Sequence, residues 1–368
     1  MFLLTNEQRK CFGLLPVEDH WKRLEPKPSP YHRYTTVAYL DGTVLRKVIL
    51  TGNNIYNECE ICEHISDDHK FLMPKTEKGK PVLFSAATLA NRTPLGIGLS
   101  YGRNNSGYAY IDLYNHGSQK YYYSNTYELM RSDGIDDFQK WVEDWCADTT
   151  EEDIIDLAAF ANQPRRHVKF REGDVFRYKI NRRLYGYGRI LLDYALMRKK
   201  KEPFWDILMG KPLVCSVYHI VTDRADVTVD ELRTLPSMPS DFIMDNRLFY
   251  GDYEIIGNIP VGDKEDYPIM YGSSIRAGER AAVFQCGKIY RKIPNGTVSY
   301  EHYRNNAIGF NLSVSLSILR SCIQARSNEP YWSEDNWNVK HDLRNPKLRA
   351  DLECICRQFD LDAADIIK

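Results

Sequence analysis

The stretch Val175-Phe-Arg-Tyr-Lys-Ile180, Asn181-Arg-Arg183, Leu184-Tyr-Gly-Tyr-Gly-Arg-Ile-Leu191 decides the fold. Phe176, Tyr178 and Ile180 alternate with Arg177 and Lys179, the period of a strand with one buried and one wet face. The three polar residues 181–183 join it to a second run of β-forming residues, so the spacing predicts a hairpin. Gly186 and Gly188 sit inside the second strand, where glycine marks a bulge or a close approach of another group. Downstream, residues 213–221, 242–245, 253–261, 268–271, 281–292 and 297–302 read as further strands, eight in all. Frequent turn signals between them predict a curved sheet or partly open barrel. The chain then turns helical at 312–326 and 346–359, with a last turn at 363–367.

Upstream, the composition changes abruptly. Residues 132–156 hold ten acids against Lys140, a net charge of −9, whereas residues 165–201 hold thirteen basic residues against three acids, a net of +10. Between them, residues 161–167 with Pro164 read as a linker. The expectation is two domains, 1–163 and 164–368. In the first, Asp41-Gly42 between apolar runs predicts a hairpin with positive φ at both turn residues. A second hairpin spans 96–114, and residues 120–124 add a strand. Ile135, Phe138, Trp141, Val142 and Trp145 fall on one helical face, and 151–160 form a second helix. The fold class is therefore α+β: an N-terminal α+β domain followed by a mainly-β domain with C-terminal helices.

The 368 residues carry 49 Lys+Arg against 50 Asp+Glu, so no global basic field exists to capture nucleic acid or anionic lipid. Nine cysteines without regular spacing argue against a secreted disulfide framework. No apolar run approaches the ~18 residues of a membrane span. The first apolar residues, Met1-Phe-Leu-Leu4, are too few for a secretory leader. The expected protein is cytoplasmic, with reduced thiols.

Candidate chemistry is thin. Cys59-Glu-Ile-Cys62 with His64 and His69 could supply zinc ligands, but a single CxxC more often holds two ordinary thiols. Gly98-Leu-Ser-Tyr-Gly102 has the letters of a nucleophile elbow, yet Ser100 sits in a hairpin strand rather than at a strand-to-helix turn. The basic stretch 165–201, interleaved with Phe170, Phe176, Tyr178, Tyr185 and Tyr187, could stack single-stranded nucleic acid. Its strict alternation favours a half-buried strand instead. No metal, cofactor or catalytic residue is expected. Residues 221–270 hold eleven acids against four bases, a net of −7. Their first part is a long loop, the kind of element that carries function on a rigid sheet.

Phe170-Arg-Glu-Gly-Asp-Val-Phe176 and Tyr185-Gly-Tyr-Gly-Arg-Ile190 resemble the opening hairpin of the immunity protein 26 family of bacterial polymorphic toxin systems. Pro239-Ser-Asp-Phe242, Ile243-Met-Asp-Asn-Arg-Leu-Phe-Tyr250, Tyr253-Glu-Ile-Ile-Gly257, Pro268-Ile-Met-Tyr271 and Gln285-Cys-Gly-Lys-Ile-Tyr290 continue the likeness in order. Asn305-Asn-Ala-Ile-Gly-Phe310 and Asp342-Leu-Arg-Asn-Pro346 extend it, to cover roughly residues 167–360. The resemblance implies a non-enzymatic antidote that binds a cognate toxin, often a nuclease, and neutralises it. Two alternatives stay open: a metal-dependent phosphotriester hydrolase, a label some family members carry, and a nucleic-acid binder using 165–201. For the antidote, the partner-binding residues are Asp223, Asp226, Asp230, Glu231, Asp241 and Asp245. Asp252, Glu254 and the acids of 263–266 follow, and the acidic helices within 136–156 form the alternative surface.

Overall fold

The computed structural model describes residues 1–28, 33–205, 211–263, 265–274, 276, 278–298 and 311–367. The chain divides into two compact units, Met1–Arg166 and His167–Lys368. It is α+β, with antiparallel strands in several sheets, none of them closed.

The first unit is built on strands β1 (Lys22–Leu24), β2 (Thr35–Asp41), β3 (Val44–Gly52), β4 (Ile55–His64), β5 (Lys70–Lys75), β6 (Pro81–Leu83), β7 (Leu95–Arg103), β8 (Tyr108–Asn115), β9 (Lys120–Ser124) and β10 (Met130–Arg131). Eight of them form one sheet in the order β1-β2-β3-β4-β7-β8-β10, with β9 also paired to β8; β5 and β6 make a separate hairpin. In the β2–β3 turn Asp41 pairs with Val44, so the turn residues are Gly42 and Thr43, one step beyond the expected Asp41-Gly42. Of these, only Gly42 takes positive φ, +59°.

Both faces of this sheet are covered. Val37 and Tyr39 point into a cluster with Phe138, Val142 and Trp145 of the helix Ile135–Ala147 and Leu157 and Phe160 of the helix Glu151–Ala161. Ala38 and Leu40 point the other way, into a cluster with Phe71 of β5 and Leu89. This two-sided burial explains why β2 reads as a continuous apolar run rather than an alternating one.

The second unit contains β11 (Asp174–Lys179), β12 (Tyr185–Asp193), β13 (Pro212–Val217), β14 (Asp241–Met244), β15 (Glu254–Asn258), β16 (Ile269–Ser273), β17 (Ala281–Cys286) and β18 (Ile289–Pro294). They form a five-stranded sheet, β14-β13-β12-β11-β15, and a three-stranded one, β16-β17-β18, where the sequence suggested a curved sheet or partly open barrel. The expected strand 281–292 is two strands, because Gly287 takes φ +54° and reverses the chain between Cys286 and Ile289. The expected strand 297–302 lies largely outside the described residues, as does the string 305–310. Leu192, Val214 and Phe242 of the larger sheet meet Met270 and Val283 of the smaller one in a shared core. The other face of the smaller sheet packs Tyr271 and Phe284 against Leu352, Ile355 and Phe359. All three belong to, or directly follow, the helix Arg349–Gln358.

Candidate partner-binding surface

The acidic segment begins where Thr222 bridges Tyr185 at the end of β12. It is shaped by one short helix, Val229–Arg233. Thr228 caps this helix, taking the Glu231 N–H on its hydroxyl while Glu231 accepts from the Thr228 N–H at 2.8 Å. Those bonds, with Arg224, hold the Glu231 carboxyl below its usual range. The Arg224 guanidinium spans Asp226 at 3.2 Å and Glu231 at 3.1 Å. Arg177 of β11 donates to the Ala225 carbonyl and pairs with Glu254 of β15. The Tyr187 hydroxyl donates to the Arg224 carbonyl at 2.8 Å. The segment is thus tied to the β11–β15 side of the sheet by arginine and tyrosine side chains.

Asp226 and Asp230 project furthest, with side chains 81% and 94% exposed. Asp223 is exposed beside them. Among these residues five acids (Asp223, Asp226, Asp230, Glu231, Glu254) face three arginines (Arg177, Arg224, Arg233), a net of −2. The formal −7 of 221–270 greatly overstates the charge this surface presents.

The remaining predicted residues are placed differently. Asp241 opens β14, the edge strand at the other end of the pairing order, and accepts the Phe242 N–H at 2.7 Å. Burial pushes its carboxyl up to about 6. Asp245 follows β14, partly buried, and burial raises its carboxyl as well. Asp252 is only 8% exposed and is ion-paired to Arg247, which in turn holds Asn311. Its charge is engaged inside the fold. Glu265 pairs with Arg189, and Asp266 accepts from the Ser240 N–H and from buried Arg344 at 2.7 Å. The eight candidates therefore comprise a group of five on one side, two at the opposite edge strand, and one internal residue.

An aromatic feature was not anticipated. Trp337 is 64% exposed, and its ring lies 3.7 Å from that of His341. Glu334, partly buried, and Asp335, exposed, precede it on the chain. The grouping of three rings around two acids in Tyr331-Trp-Ser-Glu-Asp-Asn-Trp337 was the available signal.

Other motifs resolve plainly. Phe176, Tyr178 and Tyr187 are buried, so three of the five rings that would stack bases in 165–201 face the core, while Phe170 and Tyr185 are partly buried. Ser100 lies mid-strand in β7, opposite Asp112. Cys59 and Cys62 both lie on β4, and burial pushes the Cys59 thiol up to about 12. Among the described residues no group of three or more His, Cys, Asp or Glu is placed to hold a metal. Nor is any helix there long and apolar enough to cross a membrane.

The second unit is thus an α+β scaffold displaying a charged loop and an exposed indole, features of the kind found in macromolecular recognition surfaces. Residues 171–282 match the family model described as Immunity protein 26, which bears out the resemblance carried by the strings of that stretch. Comparison with curated proteins finds no match, and comparison with solved structures finds none either.

Proposed function

We propose that this chain is a cytoplasmic immunity protein that binds a cognate toxin of a bacterial toxin system and neutralises it by occlusion. The carrying observation is the match of residues 171–282 to the Immunity protein 26 family, because the acidic segment 223–231 falls within it. The toxin is a nuclease on this reading: a cleft that binds phosphates is basic, and an acidic loop competes for it while steering encounter. A net of −2 supplies steering but little anchoring, so affinity needs a desolvated hot spot. The exposed indole of Trp337 suits that role. Residues 164–368 act as the toxin-binding domain, residues 1–163 as a separate one, and neither performs catalysis.

The test is co-expression with the toxin domain encoded beside this gene. Growth rescue together with co-purification supports the reading. A neighbouring toxin that stays active and does not bind overturns it.

A further inference from the structure

Independently of the toxin reading, we propose that the first unit binds a small organic monocation, an alkyl chain ending in one ammonium group. The site is a cleft of about 320 Å³ between the N-terminal segment and strands β2, β3 and β4. That volume lies at the lower end of known ligand sites, roughly 300–1,000 Å³.

Its wall carries a carboxylate in an unusual situation. Glu60, on β4, is partly buried, and among the described residues the one hydrogen bond to its carboxylate is a long one from the Leu15 N–H at 3.4 Å. Among the described residues it has no ion-pair partner within 4 Å. The nearest ammonium, that of fully buried Lys47, is engaged by Glu58 at 2.6 Å and the Leu15 carbonyl at 2.5 Å. Burial accordingly raises the Glu60 carboxyl above its usual range, with the Leu15 N–H and Lys47 opposing. A desolvated carboxylate without a counter-charge is costly, and a cation in the cleft removes that cost.

The surrounding charges fix the ligand's sign. Arg46 pairs with Asp41 at 2.9 Å, Arg9 and Lys47 share Glu58, and His20 lies 3.5 Å from Asp41. With Glu18 at the rim, four carboxylates face three permanent cations across the wall and the layer behind it. One positive charge is missing. The apolar lining fixes the rest of the ligand: Trp21 contributes an aromatic ring to the wall, and Leu15 and Leu95 stand exposed on the lining. An alkyl chain covers those leucines while its ammonium reaches Glu60.

The test titrates the full chain by calorimetry with n-hexylammonium, n-hexanol and n-hexanoate. Nuclear magnetic resonance shifts locate the site. The expected result is saturable one-to-one binding of hexylammonium, about tenfold or more tighter than either isostere, with shifts at residues 15–21 and 60–62. Glu60→Gln should lose about tenfold, and Trp21→Ala about threefold or more. Arg46→Ala, which releases Asp41, should tighten binding. Nα-acetyl-lysine methylamide distinguishes the sources: binding equal to hexylammonium assigns the cleft to a lysine side chain, weaker binding to a free amine. Equal binding of hexanol, no saturation below ~10 mM, or full affinity in Glu60→Gln overturns the proposal. If Glu60→Gln does not fold, full affinity in Trp21→Ala with shifts elsewhere overturns it equally.

Discussion

The ring of Phe176 covers Gly188 on the neighbouring strand so closely that a Cβ on the glycine would lie 2.5 Å from the ring. The Tyr178 hydroxyl stands in the same relation to Gly186, also at 2.5 Å. Two cross-strand pairs thus lay an aromatic ring over bare backbone, and Phe176 in turn stacks on Tyr253 at 5.3 Å. Glycine here makes room for the core of the five-stranded sheet.

Gly188→Ala should therefore destabilise the second unit by about 1–3 kcal/mol, the usual cost of overpacking. Denaturant unfolding of the full chain measures it. Phe176→Leu combined with Gly188→Ala should recover only the ring's share of the loss, since the Ser216 carbonyl would still lie 2.7 Å from the new Cβ. A single variant as stable as wild type would show that the strands separate freely.

In the first unit, Glu58 is fully buried and accepts from Arg9 at 2.7 Å, Lys47 at 2.6 Å and the Tyr56 hydroxyl at 2.6 Å. Burial works to raise its carboxyl, but Lys47 and Arg9 overcome that and hold it below the ordinary range. Glu58→Ala leaves two buried cations unanswered and should cost about 3–5 kcal/mol. Because the folded value is depressed, the contribution is present above the ordinary carboxylate range and disappears as pH falls through the folded value. Acid unfolding of wild type should show this loss, and Glu58→Gln should flatten it.

Asp241 has the opposite sign. Its carboxyl is raised to about 6 by burial, so the folded state holds a proton that the unfolded chain releases at lower pH. Its effect should erode stability as pH rises from about 4 to about 6, then level off. Asp241→Asn should remove that slope and stabilise the protein at pH 7 by on the order of 2 kcal/mol. A variant less stable at pH 7 than wild type would mean the ionised carboxylate is needed there.

Asp226→Lys with Asp230→Lys should slow toxin association and steepen no other property: both side chains are exposed, so the melting temperature should hold. The effect should shrink as salt rises. Trp337→Ala should instead speed dissociation, costing about 2 kcal/mol or more if the indole is a hot spot. Reversals at Asp148 and Glu151 should do little. Stopped-flow binding separates the rates, and loss of protection on the Asp148 and Glu151 changes alone would move the interface to the acidic helices.

Much of the fold was legible. The alternation at Phe176, Tyr178 and Ile180 located the hairpin, and the spacing of Phe138, Val142 and Trp145 located the helix face, because both report burial directly. The split into two sheets was not legible: period-two alternation tells which face a residue occupies but not which strand is its neighbour. Gly287 carried the hairpin that divides 281–292, but its neighbours are β-forming on both sides. The acidic surface was legible as a segment only. Counting charges could not reveal that Arg247 holds Asp252, five residues away, or that Arg177 of β11 reaches Glu254 of β15. Trp337 lies between the expected helices 312–326 and 346–359, and nothing in its neighbours tells an exposed ring from a buried one.

The central claim is tested most directly by titrating the activity of the toxin domain encoded beside this gene with the purified full chain. The account predicts activity falling linearly to zero at one equivalent, with a stable complex isolated at that ratio and no substrate consumed by the chain alone. Undiminished toxin activity at several equivalents, with no complex formed, would contradict it.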